Sequence, residues 1–312
     1  MSYKKIDFKK LNCYPIAERT NKVTVKDFVD PASYSKDTDI SNLFPKILKG
    51  GDIVKIAESA KSARKSGKPV IWAMGAHLIK CGLSRLVIDL MERGIITAVA
   101  MNGAGAIHDY EIAMIGATSE DVAIEIKEGR FGMVAETGDG MHGAMQKYVD
   151  DETGMGEALG RDIVERKLPY AEYSIMAAGS RLGIPVTIHS AIGTEIIHTH
   201  PMADGALIGK ATFNDFQIFT ANLEDIGDGG VYFNVGSAVI MPEVFLKALS
   251  AVRNIGMPAK GFVTVNLDMV QHYRPTENVV RRPIQGEGSG YAITGHHEIM
   301  IPLIYQLLIS ER

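Results

Sequence analysis

Apolar runs of strand length alternate with segments of helical periodicity through most of this chain. In residues 51–66 apolar side chains recur every three or four positions, which predicts a helix, and Gly67-Lys68-Pro69 ends it before the continuous apolar run 70–74. The same alternation predicts further helices at 84–93, 156–182 and 242–255, another beginning near Ser119, and further strands at 95–101, 184–188, 230–235 and 261–265. Strands separated by helices pair in parallel through right-handed crossovers, so the pattern predicts an α/β fold built on a parallel sheet.

Two segments depart from this alternation. Residues 1–45 are polar and irregular, and we expect them to form an N-terminal extension or arm ahead of a single α/β domain at 46–312. Residues 132–155 are rich in Gly, Met and Asp, and they are predicted to be the least regular part of the interior, with the composition of a mobile lid.

Composition narrows the kinds of partner. The 312 residues are 46% hydrophobic and 22% charged with a formal net charge of -4, which argues against a nucleic-acid surface. The longest apolar runs fall far short of the roughly 20 residues that span a bilayer, and the first residues lack the apolar core of a signal peptide. Cys13 and Cys81 have no CxxC spacing, which favours a reducing compartment. We therefore expect a cytoplasmic protein that acts on a small molecule and binds neither membrane nor nucleic acid.

Histidines are concentrated where the predicted strands end. Seven of the nine lie at, or a few residues after, the carboxyl end of an apolar run: His77, His108, His189, His198, His200, His296 and His297. Glycine-containing turns also follow strands, at residues 102–106, 193–194 and 236–238, where small residues let backbone amides approach a phosphate or ribose. The carboxyl ends of parallel strands line the ligand crevice of an open α/β sheet. The sequence therefore predicts a site at that edge, without a complete GxGxxG motif.

The order of several short motifs resembles the deoxyhypusine synthase family. The segments that carry the likeness are VKDFV at 25–29, GAHLIKCG at 75–82, GAGA at 103–106, LGIPV at 182–186, GSAV at 236–239, RPTENV at 274–279 and IPL at 301–303. Members of this family use NAD to transfer the aminobutyl group of spermidine to a protein lysine. The resemblance implies a doubly wound, Rossmann-like parallel sheet, bound NAD and a homotetramer.

Departures from the family's pattern bear on the reaction. The family's catalytic lysine, which forms an imine with the substrate, falls on Pro283, and a proline has no amine for that step. An aromatic residue two positions earlier falls on Arg281, and the general-base histidine falls on Pro242. The substrate-side carboxylate is kept as Glu277. The resemblance therefore implies an enzyme that does not make deoxyhypusine by the family's route.

Our leading hypothesis is an NAD-using transferase or oxidoreductase that acts on a small amine or anion without a lysine imine. Its catalytic candidates are His198, His200 and Glu277, because imidazoles exchange protons near neutral pH. Arg274 and Arg281, together with Glu277, are substrate-binding candidates, since guanidinium groups bind oxyanions in bidentate fashion. Cofactor-binding candidates come from the strand-end turns and the family positions: His77, Gly103, Gly105, His108, Asp109, Thr194, Gly236, Ser237 and His296.

Two alternatives remain open from the sequence. Imidazole binds divalent metals, and the two rings of an HxH pattern on an extended segment share one face, so a metal-dependent enzyme is the first alternative. Its candidate ligands are His189, His198, His200 and His296. The second is a non-catalytic binding module, although the gathering of titratable groups near the strand ends favours a catalyst.

Overall fold

The computed structural model describes Pro15 and residues Asp39–Ser310, which form a parallel sheet covered by helices on both faces. The strands are β1 Val70–Met74, β2 Ala98–Asn102, β3 Val186–His189, β4 Val231–Val235, β5 Val263–Asp268 and β6 Ser289–Thr294. Their order across the sheet is β3-β2-β1-β4-β5-β6, with every pair parallel. Because the chain winds outward from β1 on one side and from β4 on the other, the sheet is doubly wound, as expected.

The helices fill the crossovers between these strands. They are α1 Leu48–Lys65, α2 His77–Lys80, α3 Ser84–Glu92, α4 Gly103–Ile115, α5 Val122–Glu125, α6 Ala135–Tyr148, α7 Met155–Glu165, α8 Ile175–Leu182, α9 Gly205–Ala221, α10 Ile240–Asn254, α11 Tyr273–Pro275 and α12 His297–Ile309. A π-helix continues α11 at Thr276–Arg281, and a 3-10 helix occupies Ile196–Thr199. None of the described helices is long and apolar enough to cross a bilayer.

Successive side chains of each strand point to opposite sides of the sheet, and helices cover both sides, so the sheet is buried on both faces. On one face Trp72 packs against Phe233, with ring centroids 5.0 Å apart. On the other face Tyr232 stacks on Phe245 of α10 at 3.7 Å. Burial on both sides explains why β1 and β4 are continuous apolar runs rather than alternating patterns.

Several features of the chain differ from the sequence-based expectation. Segment 156–182 forms two helices, α7 and α8, rather than one, and the helix expected from Ser119 is only the short α5. Strand β6 escaped prediction because it begins Ser-Gly, lies at the sheet edge and is half-buried over most of its length, so it lacks an apolar run.

The prediction of an irregular segment at 132–155 was wrong, since α6 occupies most of it. Its glycines lower intrinsic helix propensity, but tertiary packing favours them. A Cβ on Gly138 would lie 2.1 Å from the His200 ring, and one on Gly140 would lie 2.6 Å from the Tyr110 hydroxyl. Packing against neighbouring side chains therefore outweighs local propensity here.

Most of the predicted N-terminal arm, 1–45, lies outside the described residues. Within the described part, Ile40 and Phe44 pack against the core formed by α1, α12 and the sheet. The division into an arm and a single domain stays a prediction.

Candidate functional site

The turns after β1 and β4 meet at the point where the strand order reverses. Gly75 donates its amide to the Val235 carbonyl at 2.9 Å, and a Cβ on Gly75 would lie 2.5 Å from the Gly236 carbonyl oxygen. Gly236 itself has a φ of 62°, which favours glycine. The two turns are therefore in close backbone contact at the switch point, where an open sheet of this strand order has its ligand crevice, and we call this position the switch-point crevice. Dinucleotides bind across this position in sheets with this strand order.

Titratable side chains surround the switch-point crevice. The rings of His77 and His297 lie 5.7 Å apart, edge to face. Asp268 ends β5 beside the Gly236 turn and is 8% exposed. Burial lowers the pKa of His297 and Asp268 partly opposes this effect, while His297 Nδ1 has no hydrogen-bond partner among the described residues. A buried polar atom without a partner at a ligand crevice is a candidate ligand contact.

Cys81 also reaches this region, with Sγ 3.4 Å from His77 Nε2 and 3.8 Å from Glu298 Oε2. Burial, followed by the Glu298 carboxylate, raises the pKa of the Cys81 thiol. The thiol is therefore protonated at neutral pH and is a poor nucleophile.

Two more predicted cofactor residues lie on the turns around the crevice. Ser237 Oγ accepts the amide hydrogen of Met241 at 3.2 Å, in the first turn of α10. His296 precedes α12, with a side chain that is 63% exposed and Nδ1 3.8 Å from Glu298 Oε1. With His77 and Gly236, the structure thus brings four predicted residues together here.

A second feature of this edge is a cavity of about 250 Å³ beside the end of β2, over the first turns of α4. We call it the strand-2 pocket. Its polar wall comprises Lys80, His108, Glu111, Glu120, Thr194 and Glu195, and its apolar wall includes Ile107, Val122, Phe131, Val134 and Ile196. An apolar cavity with a few converging polar groups is the usual form of a small-molecule site. Lys80 ends α2, which begins at His77, so one short helix links pocket and crevice.

Glu195 and His198 form a buried pair at the wall of the strand-2 pocket. Glu195 Oε2 lies 3.2 Å from His198 Nδ1, and their side chains are 2% and 5% exposed. Backbone amides of Gly193 and Glu195 donate to the same Nδ1 at 3.1 and 3.4 Å, so this network assigns the neutral ring with its hydrogen on Nε2. Burial lowers the pKa of His198, assisted by His142, and burial raises the pKa of Glu195.

The glycines predicted for the cofactor have other neighbours here. A Cβ on Gly103 would lie 2.6 Å from Glu195 Cδ, and one on Gly105 would lie 2.9 Å from Met101 Sδ. The Gly103 amide lies close enough to the Glu195 carboxylate to lower its pKa, and the Gly105 amide donates to Asn102 Oδ1 at 3.0 Å. The amino end of α4 is therefore occupied by side chains of this chain rather than open to a phosphate.

His108 and Thr194 line the strand-2 pocket. His108 Nδ1 lies 2.6 Å from Thr118 Oγ1. Burial lowers the pKa of His108, so its ring stays neutral to a lower pH than an ordinary histidine does. Thr194 Oγ1 donates to the Ala191 carbonyl at 2.8 Å.

Asp109, which was predicted to contact the cofactor, faces the core instead. Its carboxylate accepts hydrogen bonds from Ser174 Oγ and from the amides of Ile175 and Met176 at the start of α8. The side chain is fully buried, and burial raises its pKa to about 6. Every one of these contacts is to the protein, so Asp109 fixes α8 against α4 instead of holding a ribose.

The predicted substrate-binding groups lie on the crossover between β5 and β6 and are not part of the wall of the strand-2 pocket. Arg281 Nη1 donates to Glu277 Oε1 at 2.7 Å, and Arg274 Nε lies 3.3 Å from Glu243 Oε1. Their side chains are more than half exposed. Glu277, Arg274 and Arg281 therefore pair with protein charges and do not line the strand-2 pocket.

The metal hypothesis assumed that the HxH segment is extended. The structure differs, because His198 lies in a 3-10 helix and His200 follows it. His200 stacks on His142 of α6 at 5.6 Å, with Nε2 3.6 Å from Asp139 Oδ1. His189 packs edge-on against Phe219 on the far face of the sheet, where burial lowers its pKa to about 3.

These side chains do not converge on a common point. Across Pro15 and 39–310, no group of three His, Cys, Asp or Glu side chains is placed to hold a metal ion. The metal alternative, with His189, His198, His200 and His296 as ligands, therefore has no support in the structure.

No protein-family model and no curated protein matches the chain. A candidate LOR/SDH protein from Methanococcus maripaludis S2 aligns with a TM-score of 0.52 at 17% identity, over 88% of this chain and 71% of that one. AgrE, solved as a ternary complex with ornithine and NAD+, aligns with a TM-score of 0.50 at 14% identity, over 88% of this chain and 34% of AgrE. The chain thus spans about a third of AgrE.

A candidate deoxyhypusine synthase from Entamoeba histolytica also matches, with a TM-score of 0.49 and 10% identity over 88% of this chain and 95% of that one. At such identities a likeness shows the fold alone. The likeness to the LOR/SDH protein and AgrE, together with the strand order observed here, confirms the Rossmann-like fold implied by the sequence resemblance.

Proposed function

We propose that this chain is an NAD-using enzyme with a deoxyhypusine synthase-like fold, either a transferase or an oxidoreductase, which binds NAD across the switch-point crevice. The observation that carries this proposal is the strand order, because it reverses between β1 and β4, where two turns of Gly, Ala and Ser bring backbone and small side chains to the switch point. The small molecule would lie in the strand-2 pocket, an amine or an anion in keeping with the sequence. A homotetramer is a further expectation from the resemblance, and a cytoplasmic location is one from the composition and the cysteine spacing.

The residues at the crevice fit a dinucleotide. Gly75 and Gly236 allow close approach of backbone to a ligand, and the fifteen-residue helix α10 begins just after Ser237. Asp268 supplies a buried carboxylate of the kind that holds ribose hydroxyls, and His297 supplies a buried ring nitrogen without a partner among the described residues. NAD, when bound, would accept or deliver a hydride. The protein's own groups would orient it and handle the accompanying proton.

The relatives support the cofactor without fixing the reaction. AgrE was solved with NAD+ and ornithine, and the sequence resemblance implies an NAD enzyme. Pro283 has no amine, so the chemistry we propose uses no lysine imine at that position.

NAD+ binding tests the proposal directly. We expect isothermal titration calorimetry of the untagged protein to show NAD+ binding. We also expect Asp268→Asn to weaken it about tenfold or more, because a hydrogen bond to a charged group is worth roughly 1.5–3 kcal/mol. Asp225→Asn is the matched control, since Asp225 lines a surface hollow with Gly67 and Pro69 at the opposite, amino end of β1.

The outcomes separate the cofactor from its site. If millimolar NAD+ produces no heat and no rise in melting temperature, the proposed function fails. If NAD+ binds but both variants behave like the wild type, the dinucleotide lies elsewhere on the chain.

A further inference from the structure

In the pair of Glu195 and His198, two hydrogen-bond acceptors face each other, and one proton between them would turn this contact into a hydrogen bond. His198 Nδ1 already accepts backbone amide hydrogens, so it presents a lone pair to Glu195 Oε2 at 3.2 Å. An ionised Glu195 would set a second lone pair against it in a place shielded from water. A proton on Oε2 turns this repulsion into an O–H to N hydrogen bond. No other partner for Oε2 exists among the described residues.

We propose that Glu195 is the catalytic acid and base of the strand-2 pocket, and that His198 is the positioning residue that shares its proton. Glu195 is part of the cavity wall, with a side chain that is 2% exposed, whereas His198 is absent from that wall, lies behind Glu195 and is bonded to the loop backbone. The proposal rests on the proposed function, because it supplies the proton that must move whenever NAD exchanges a hydride. It also moves the acid–base role from His198 and His200, where the sequence placed it, to Glu195.

The proton transfer balances with the hydride in both directions. NADH, when bound, would supply a hydride with its electron pair to the carbon of a C=O or C=N group, and NAD+ would accept one in the opposite direction. In the reducing direction Glu195 would give its proton to the oxygen or nitrogen and become a carboxylate. In the oxidising direction the Glu195 carboxylate would take the proton of an alcohol O–H or amine N–H as the C–H electron pair leaves with the hydride. The pocket would therefore accept a small carbonyl or imine compound, or its reduced form.

The surroundings of Glu195 suit both of its protonation states. The carboxylate is stabilised by the Gly103 amide at the amino end of the thirteen-residue helix α4 and by the Ala191 amide at 3.4 Å. The protonated form is favoured by burial. Burial is the larger influence, so the pKa of Glu195 is raised above its usual value, in the direction that proton transfer near neutral pH requires.

His142 on α6 keeps the shared proton on the Glu195 side. Its Nε2 lies 2.9 Å from the Ile197 carbonyl oxygen and must donate to it. Burial is the larger cause that lowers the pKa of His198, and His142 adds to it. The remaining titratable groups around the pocket are Lys80 on α2, His108 and Glu111 on α4, and Glu120 before α5.

Carbon NMR of the apoprotein tests this proposal without substrate or cofactor. Protein labelled with ¹³C at the glutamate side-chain carboxyl would be titrated from pH 3 to pH 9, with the Glu195 signal assigned by its loss in Glu195→Gln. We expect its midpoint to lie above the ordinary glutamate value of about 4.3. The His198 ring nitrogen signals should move over the same pH interval, because a coupled pair titrates as one system.

Variants of the partner provide the decisive comparison. His198→Gln should shift the Glu195 midpoint downward, because the new amide can donate to the carboxylate where the imidazole nitrogen accepted from it. His272→Gln, at an exposed histidine before α11, and Glu298→Gln, at the switch-point crevice, are matched controls that should leave the Glu195 midpoint in place. A Glu195 midpoint at the ordinary value that does not move in His198→Gln would overturn the proposal. Loss of NAD+ binding alone would overturn the proposed function but not this proton-sharing pair.

Discussion

The free energy of unfolding of Asp215→Asn, minus that of the wild type, should rise by on the order of 4 kcal/mol between pH 4 and pH 8. Asp215 is buried among amides of α7 and β3, accepting from Ile188 at 2.8 Å and Gly156 at 3.0 Å. Burial nevertheless dominates and raises its pKa from 3.8 to about 7. Between these values the folded state binds more protons than the unfolded state, so the wild type's free energy of unfolding falls as pH rises. Asparagine has no such dependence.

The measurement is urea denaturation of both proteins at several pH values, with the difference in unfolding free energy plotted against pH. The difference isolates Asp215 because other titrating groups are the same in both proteins. One of these is His189, whose pKa is lowered to about 3 and which contributes stability that is lost as pH falls below about 6.5. Asp109→Asn should change in the same direction by a smaller amount, since the pKa of Asp109 is raised only to about 6. Parallel curves for wild type and Asp215→Asn would show that Asp215 ionises as freely when folded as when unfolded.

The sheet could be predicted from the sequence because its central strands are buried on both faces. Such strands are continuous apolar runs, and their crossovers have helical periodicity, so β1, β2 and β4 were each located to within a few residues. The doubly wound order came from the resemblance and not from periodicity. Edge strand β6 was missed because partial burial leaves no apolar run to detect.

Part of the candidate site could be predicted by position, because His77, Gly236, Ser237 and His296 all follow strand ends and lie around the switch point. Whether they bind a cofactor there stays a prediction. Roles went astray where side-chain direction decides them, as at Asp109 on the core side of α4 and at Arg281, which is paired with its neighbour Glu277. A sequence gives spacing along a helix, but it does not say which neighbour from a distant segment satisfies a carboxylate.

Two carboxylates that the structure places at the candidate site, Asp268 and Glu195, could not be singled out from the sequence. Asp268 was hidden because the strand prediction ended at residue 265, whereas β5 extends to 268. Glu195 is one acidic residue in a short loop, and only the tertiary approach of Gly103 and the histidines buries it. Burial and hydrogen-bond saturation are non-local properties, and they distinguish a catalytic carboxylate from a solvated one.

Gly156→Ala should lower the free energy of unfolding by about 3 kcal/mol, a fall in melting temperature of roughly 6–12 °C for a chain of this size. A Cβ at Gly156 would lie 1.8 Å from the Val186 carbonyl oxygen. That oxygen belongs to backbone held in β3 beside Val99 of β2, so it cannot turn away as a side chain would. Gly143→Ala is the matched control, because α6 offers open space at that position and alanine there should add about 0.5–1 kcal/mol.

Thermal unfolding followed by circular dichroism distinguishes the two alanines by the sign of the shift. Equal melting temperatures would mean that α7 and β3 separate at little cost. The consequence reaches the strand-2 pocket, because the chain leaving β3 carries Glu195 and His198 within nine residues of the strand end. Displacing β3 should therefore also change the Glu195 titration in Gly156→Ala and leave it unchanged in Gly143→Ala. The close contact of α7 with β3 would then support the acid–base pair as well as the fold.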